Sequence, residues 1–179
     1  MKVIETPLID ASVIIVDKHE DERGFFMESF NGEQFEKELG NYNFVQDNHS
    51  KSSKGVLRGL HYQLEKPQGK LMRCTQGAVY DVIVDLRKSS SSFGLWFNIT
   101  LDNPETIMWV PPGFAHGFYT LTDTAEFEYK CTDYYHPEDD FSLSWCDPDL
   151  KIPWPILHPL VSEKDKLAPN LSDIAVSKL

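Results

Sequence analysis

Cysteine is scarce, with three in 179 residues: Cys74, Cys131 and Cys146. An odd count without paired spacing is neither a disulfide framework nor a zinc ribbon, and it suits a reducing compartment. Basic residues are outnumbered, 17 Lys and Arg against 28 Asp and Glu, for a net charge of −11. Such a chain repels a phosphate backbone, so no nucleic-acid partner is expected. A small anionic ligand would have to meet a local basic cluster. No apolar run approaches the ~18 residues that span a bilayer, and the opening MKVIETPLID has no long apolar core of a signal peptide. No membrane partner and a cytoplasmic location are therefore expected. With only 10 Gly and 11 Pro, collagen-like and low-complexity classes are excluded. The length suits a single domain over residues 1–179, since domains run to about 100–150 residues.

What the chain does have is alternation. Ala11–Val16 is apolar and β-branched. In Val79–Leu86, Tyr80, Val82, Val84 and Leu86 share one face while Asp81 and Asp85 share the other. In Glu126–Thr132, Phe127, Tyr129 and Cys131 face one way, against Glu126, Glu128 and Lys130. Such runs, recurring every ~8–12 residues between Gly, Pro, Asn, Asp and Ser breaks, predict an all-β sandwich or barrel. Helices are few. Asn31–Leu39 has an Asn N-cap, Phe35 and Leu39 four apart, and Gly40 as a stop. A second short helix starts near Ser162, and the Pro-rich tail after Trp154 either wraps the body or frays.

Three segments carry polar groups on apolar faces. In Gly55-Val-Leu-Arg-Gly-Leu-His-Tyr-Gln63, strict alternation puts Arg58 and His61 on opposite faces, unless Gly59 is a bulge that resets the parity. In Gln68-Gly-Lys-Leu-Met-Arg-Cys74, Lys70 shares a face with Met72 and Cys74. Either it snorkels from the strand start to water, or it is a buried ammonium with a purpose. In Trp109–Phe118, His116 shares a face with Phe114 and Phe118 and reads equally as a satisfied core histidine or a site residue.

The Pro111–His116 piece, P-x-G-x-x-H, resembles the second motif of the cupin barrels. The ordered set around it resembles the dTDP-4-dehydrorhamnose 3,5-epimerase family. The matching stretches are Asp21–Glu28, Gln46–Ser50, Gly55–Gln63, Gln68–Lys70 and Tyr80–Arg87, then Phe93–Gly94, Val110–Phe118, Tyr129–Tyr135, Trp145, Ile152–Pro155 and Ser162–Asp165. The resemblance implies a cupin-like jelly-roll β-barrel with a few short helices, usually a homodimer with strand exchange. It also implies a dTDP-linked 4-keto-6-deoxy sugar as substrate, epimerised at carbons 3 and 5. By the same likeness His61 is the general base oriented by Asp165, Tyr129 the acid, and Lys70 the cation at the keto oxygen. Arg58 is implied as the diphosphate ligand, with His116 in the same pocket. Arg23 and Glu28 resemble residues supplied by the partner subunit, and the likeness implies Gln46 and Asn48 near the nucleotide, with Lys164 also binding it. Phe26 and Tyr134 are candidates to stack on the thymine. Asp140 stands where relatives often carry Glu, one methylene shorter.

The residue types suit that chemistry. A neutral imidazole can take a proton near neutral pH, a carboxylate on its other nitrogen fixes the tautomer, and a phenol is protonated at rest. An ammonium stabilises a developing enolate, and an arginine fork suits a diphosphate. Blander readings stand beside these. Asp165 lies three residues after Ser162 and fits a helix cap. Tyr129 fits strand packing, Glu28 fits a surface pair with Arg23, and Glu138–Asp140 fits a solvated turn. The His-x-His pair of metal-binding cupins is missing, because Gly59 and Gln63 stand two residues either side of His61. Neither a metal nor an organic cofactor is expected. The alternative within the fold is epimerisation at carbon 3 only. Outside that chemistry stand a metal-dependent cupin enzyme and a catalytically silent sugar-nucleotide-binding barrel.

Overall fold

The alternating segments form two antiparallel sheets. A computed structural model describes residues 1–174. The first sheet runs β1 (Lys2–Glu5), β2 (Ser12–Ile15), β10 (Thr106–Val110), β7 (Lys70–Gln76), β12 (Thr124–Cys131), β5 (Gln46–Ser53). The second runs β13 (Asp140–Ser142), β6 (Leu57–Gln63), β11 (Phe114–Thr120), β8 (Val79–Asp85), β9 (Trp96–Leu101). A separate hairpin pairs β3 (Lys18–Asp21) with β4 (Gly24–Met27). Successive strands from β5 to β8 cross between the sheets, which closes them into the cupin-like jelly roll that the sequence resembled.

The core lies between the sheets. Met72, Cys74, Met108 and Phe127 from the first meet Val79, Ile83, Leu101, Phe114 and Phe118 from the second. Each such side chain contributes about 1.5–3 kcal/mol on burial. Both faces of β8 are buried. Asp81 and Asp85 point to the barrel side, while Val82 and Val84 lie under the C-terminal segment with Leu143, Leu150, Ile152 and Trp154. That segment therefore wraps the body as far as Ile174. Trp154 packs on Tyr80 at 5.8 Å, and its Nε1 donates to the Trp145 carbonyl at 2.7 Å.

Helix α1 (Gly32–Leu39) covers the outer face of the first sheet through Phe35. Asn31 Oδ1 accepts from Gln34 N at 3.2 Å, and Gly40 ends the helix at φ 99°. At the far end of the chain Leu160 pairs with the start of β6: Leu160 N donates to the Gly55 carbonyl at 2.8 Å, and Leu57 N to the Leu160 carbonyl at 2.9 Å. This pairing delivers helix α2 (Glu163–Lys166) to the open end of the barrel.

Candidate active site

A cleft of about 490 Å³ opens between β6, β7, β11 and β12. Arg58, His61, Lys70, His116, Tyr129, Asp140 and Asp165 all line it. That volume lies in the ordinary range for small-molecule sites, about 300–1,000 Å³.

Gly59 brings Arg58 and His61 to one side. On β11, His116 pairs with His61 and Phe118 with Arg58, so Gly59 and Leu60 together oppose the single Gly117. This is the bulge that alternation required. Gly59 sits at φ 113°, and a Cβ there would lie 2.6 Å from Gly117 Cα and 2.7 Å from the His116 carbonyl oxygen. Only glycine fits.

His61 Nε2 lies 2.6 Å from Asp165 Oδ1. Asp165 is buried; Gly59 N donates to its Oδ2 at 3.4 Å and Ser142 Oγ to its Oδ1 at 3.5 Å. Burial alone would raise the Asp165 pKa, but the His61 and Ser162 hydrogen bonds and the Gly59 amide hold it below the ordinary value. Both readings of Asp165 are realised in different atoms: its backbone N donates to Ser162 Oγ at 3.1 Å as a cap, while its carboxylate reaches His61. An ionised carboxylate beside Nε2 accepts a hydrogen bond from the Nε2–H, which keeps the ring proton there and leaves the lone pair on Nδ1.

Lys70 opens β7 and pairs with Val110 and Cys131. It is part-buried and lines the cleft. Burial pulls its pKa below the ordinary lysine value, with Cys131, Asp140 and Asp81 opposing the shift. Tyr129, opposite Met72 and Asn48, has its phenol pushed up to about 12, chiefly by burial. His116 is both a satisfied core histidine and a cleft residue. Its Nε2 lies 2.7 Å from Asp81 Oδ1, its ring stacks on Phe127 at 5.9 Å, and burial lowers its pKa against the pull of Asp81. Arg58 Nε donates to Ser52 Oγ at 3.0 Å.

One wall is aromatic and ionic. Tyr135 lines the cleft, and its hydroxyl donates to Asp140 Oδ2 at 3.0 Å. Lys164 Nζ lies 2.6 Å from the same Oδ2 and donates to the Asp140 carbonyl at 3.1 Å. Tyr134, a candidate to stack on the thymine, is 59% exposed and outside the cleft; the ring that lines it belongs to the next residue, Tyr135, in the irregular segment after Cys131. Gln46 Oε1 accepts from Tyr135 N at 2.8 Å, and its Nε2 donates to Asn48 Oδ1 at 3.1 Å. Asn48 Nδ2 in turn donates to Cys131 Sγ at 3.4 Å. These two support the cleft from β5 rather than lining it.

Arg23, Phe26 and Glu28 do not reach the cleft of their own chain. Arg23 pairs with Asp21 at the tip of the β3–β4 hairpin, and Phe26 is 72% exposed. The surface pair of Glu28 with Arg23 is not formed, because Glu28 Oε1 accepts from Asn31 Nδ2 at 2.9 Å. The acidic run is not a simple solvated turn either. Asp139 is buried and accepts from the backbone amides of Leu64, Glu65 and Lys66 at 3.1, 3.0 and 2.9 Å. Sequence reasoning missed Tyr135 and Gln63, which line the cleft, and Asp139, which braces it; Tyr135 and Asp139 stand in a connection without periodicity, and Gln63 closes a strand whose pattern does not reveal its distant partners.

The profile of the dTDP-4-dehydrorhamnose 3,5-epimerase family matches residues 5–173. A Shigella flexneri dTDP-4-dehydrorhamnose 3,5-epimerase is 51% identical over 168 residues, covering 92% of this chain and 93% of the relative. A dTDP-6-deoxy-D-glucose-3,5-epimerase from Legionella pneumophila, solved in complex with dTDP-4-keto-L-rhamnose, superposes with a TM-score of 0.96 at 47% identity, covering 99% of this chain and 96% of that one. A 3'-monoepimerase from Streptomyces bikiniensis in complex with dTDP-quinovose gives 0.88 at 36% identity, covering 93% and 86%. With the barrel, the cleft and this end-to-end likeness in agreement, the chain belongs to the dTDP-4-dehydrorhamnose 3,5-epimerase family.

Proposed function

We propose that the chain is a single domain that converts dTDP-4-dehydro-6-deoxyglucose to dTDP-4-dehydrorhamnose by inverting carbons 3 and 5. His61 Nδ1 takes the proton from the carbon beside the ketone. The C–H electrons move into the ring and the charge collects on the keto oxygen, where the Lys70 ammonium stabilises it. Tyr129 then donates a proton to the opposite face, and the keto form returns. Each proton-transfer group is worth roughly 10²–10⁴ in rate. Asp165 holds the imidazole tautomer and stabilises the imidazolium that forms. The ketone already acidifies both carbons, so the proposal invokes no metal or organic cofactor.

Arg58 binds the diphosphate, with His116 beside it. Tyr135, Asp140 and Lys164 form the nucleotide end, with Gln46 and Asn48 behind it. Arg23, Phe26 and Glu28 serve the cleft of a second copy in a homodimer that exchanges strands. The three unpaired thiols suit work in the cytoplasm. The observation that carries the reading is the convergence of His61 with its buried Asp165, Lys70 and Tyr129 on one cleft.

Incubating dTDP-4-keto-6-deoxyglucose with the protein in heavy water, and reading the sugar by NMR, tests it. Deuterium at carbons 3 and 5 is expected. Label at carbon 3 alone selects the single epimerisation, a reading favoured by the likeness to the Streptomyces bikiniensis 3'-monoepimerase. No label rejects both.

A further inference from the structure

Three of the groups proposed for the chemistry sit on strands joined by two connections at one end of the barrel. Residues 64–69 link β6, with His61, to β7, with Lys70. Residues 132–139 link β12, with Tyr129, to β13, with Asp140. The two connections are zipped together. Thr132 N donates to the Gly69 carbonyl at 3.0 Å, Gly69 N to Thr132 Oγ1 at 2.7 Å, and Gln68 Nε2 to the Asp133 carbonyl at 2.8 Å. Gln63 then grips both neighbours of Tyr135: its Nε2 donates to the Tyr134 carbonyl at 3.1 Å, and its Oε1 accepts from His136 N at 2.8 Å. The same Nε2 donates to the Lys66 carbonyl at 2.8 Å. Asp139 closes the loop from the other side by accepting from the three amides of residues 64–66.

The Tyr135 ring is half-exposed, and its hydroxyl donates to Asp140. Its place at the cleft depends on the backbone that carries it. We propose that Gln63 and Asp139 are positioning residues that set the Tyr135 wall for the flat nucleobase of the substrate. The inference rests on the site reading above and adds to it two residues that touch no reacting atom. A ring aimed by fixed backbone costs less ordering on binding than one that must be arrested, so the clamp acts on affinity rather than on the proton transfers.

Asp139→Asn keeps the shape but turns an amide group with its own N–H bonds towards three backbone donors. Gln63→Glu sets a carboxylate oxygen against the Tyr134 and Lys66 carbonyls. Each variant is expected to raise the Kd for dTDP by calorimetry, and the KM for the keto sugar, by roughly tenfold, with kcat within about twofold. Each should lose nothing further when combined with Tyr135→Ala, since residues acting through one another are not additive. Unchanged Kd and KM, or losses that add to those of Tyr135→Ala, would overturn the proposal. If one variant fails to fold, the other carries the same comparison. Should both fail to fold, the pair is a purely structural clamp and the proposal is wrong. Wild-type protein that does not bind dTDP would instead sink the site reading itself.

Discussion

Burial acts on Lys70 and Tyr129 in opposite senses on the pH scale, because it disfavours the charged form of each. The lysine is lowered and the phenol raised to about 12, so on the alkaline side Lys70 is the first of the two to lose its proton. On the proposed mechanism the rate therefore falls at alkaline pH because the cation at the keto oxygen disappears, not because the acid does. The alkaline limb of kcat is expected below the ordinary lysine value. Lys70→Arg should move it upward, which a pH–rate profile would detect. Lys70→Gln should cost about 10²–10³ in kcat, by analogy with the loss of an oxyanion donor, with dTDP binding retained. A Gln variant with full kcat would remove the ammonium from the mechanism. None of this was legible in spacing alone: alternation placed Lys70 beside Met72 and Cys74, but whether its tip met water depended on strands distant in sequence.

Strand β6 shows how one residue type sets a site at the level of an element. Arg58 and His61 have opposite parity in a regular strand, and the conflict is visible in the sequence because a glycine stands between them. The structure resolves it with the Gly59 bulge against Gly117. Gly59→Ala combines a positive φ with a clash against backbone that has nowhere to move. A loss of about 2–3 kcal/mol in chemical denaturation is expected, together with loss of exchange activity. A fully active, fully stable Ala variant would mean that the bulge is dispensable. Helix α1 was legible for a similar reason, since its Asn cap and Gly stop are local signals. The Tyr135 loop was not. Its conformation is held by Gln63 on β6 and Gln46 on β5, and by the bonds of its own Asp139 to residues 64–66, and no local pattern announces such partners.

For the whole molecule, the strand texture announced an all-β barrel, but which face of β8 carried the core was undetermined, since both are buried. The hairpin β3–β4 is the feature that the single chain leaves unexplained. Phe25 and Phe26 are 57% and 72% exposed, on an element that does not touch the cleft of its own chain. Light scattering is expected to return twice the 20.6 kDa chain mass, and Phe26→Ala should weaken dTDP binding without altering the Tm of the barrel. A monomer that turns over normally would end the partner-supplied role. The His61–Asp165 pair spans 104 positions of sequence. During synthesis every strand of the barrel, β13 included, emerges before Asp165 does. On the proposed mechanism the imidazole therefore gains its carboxylate last, when the trailing strap docks at the cleft.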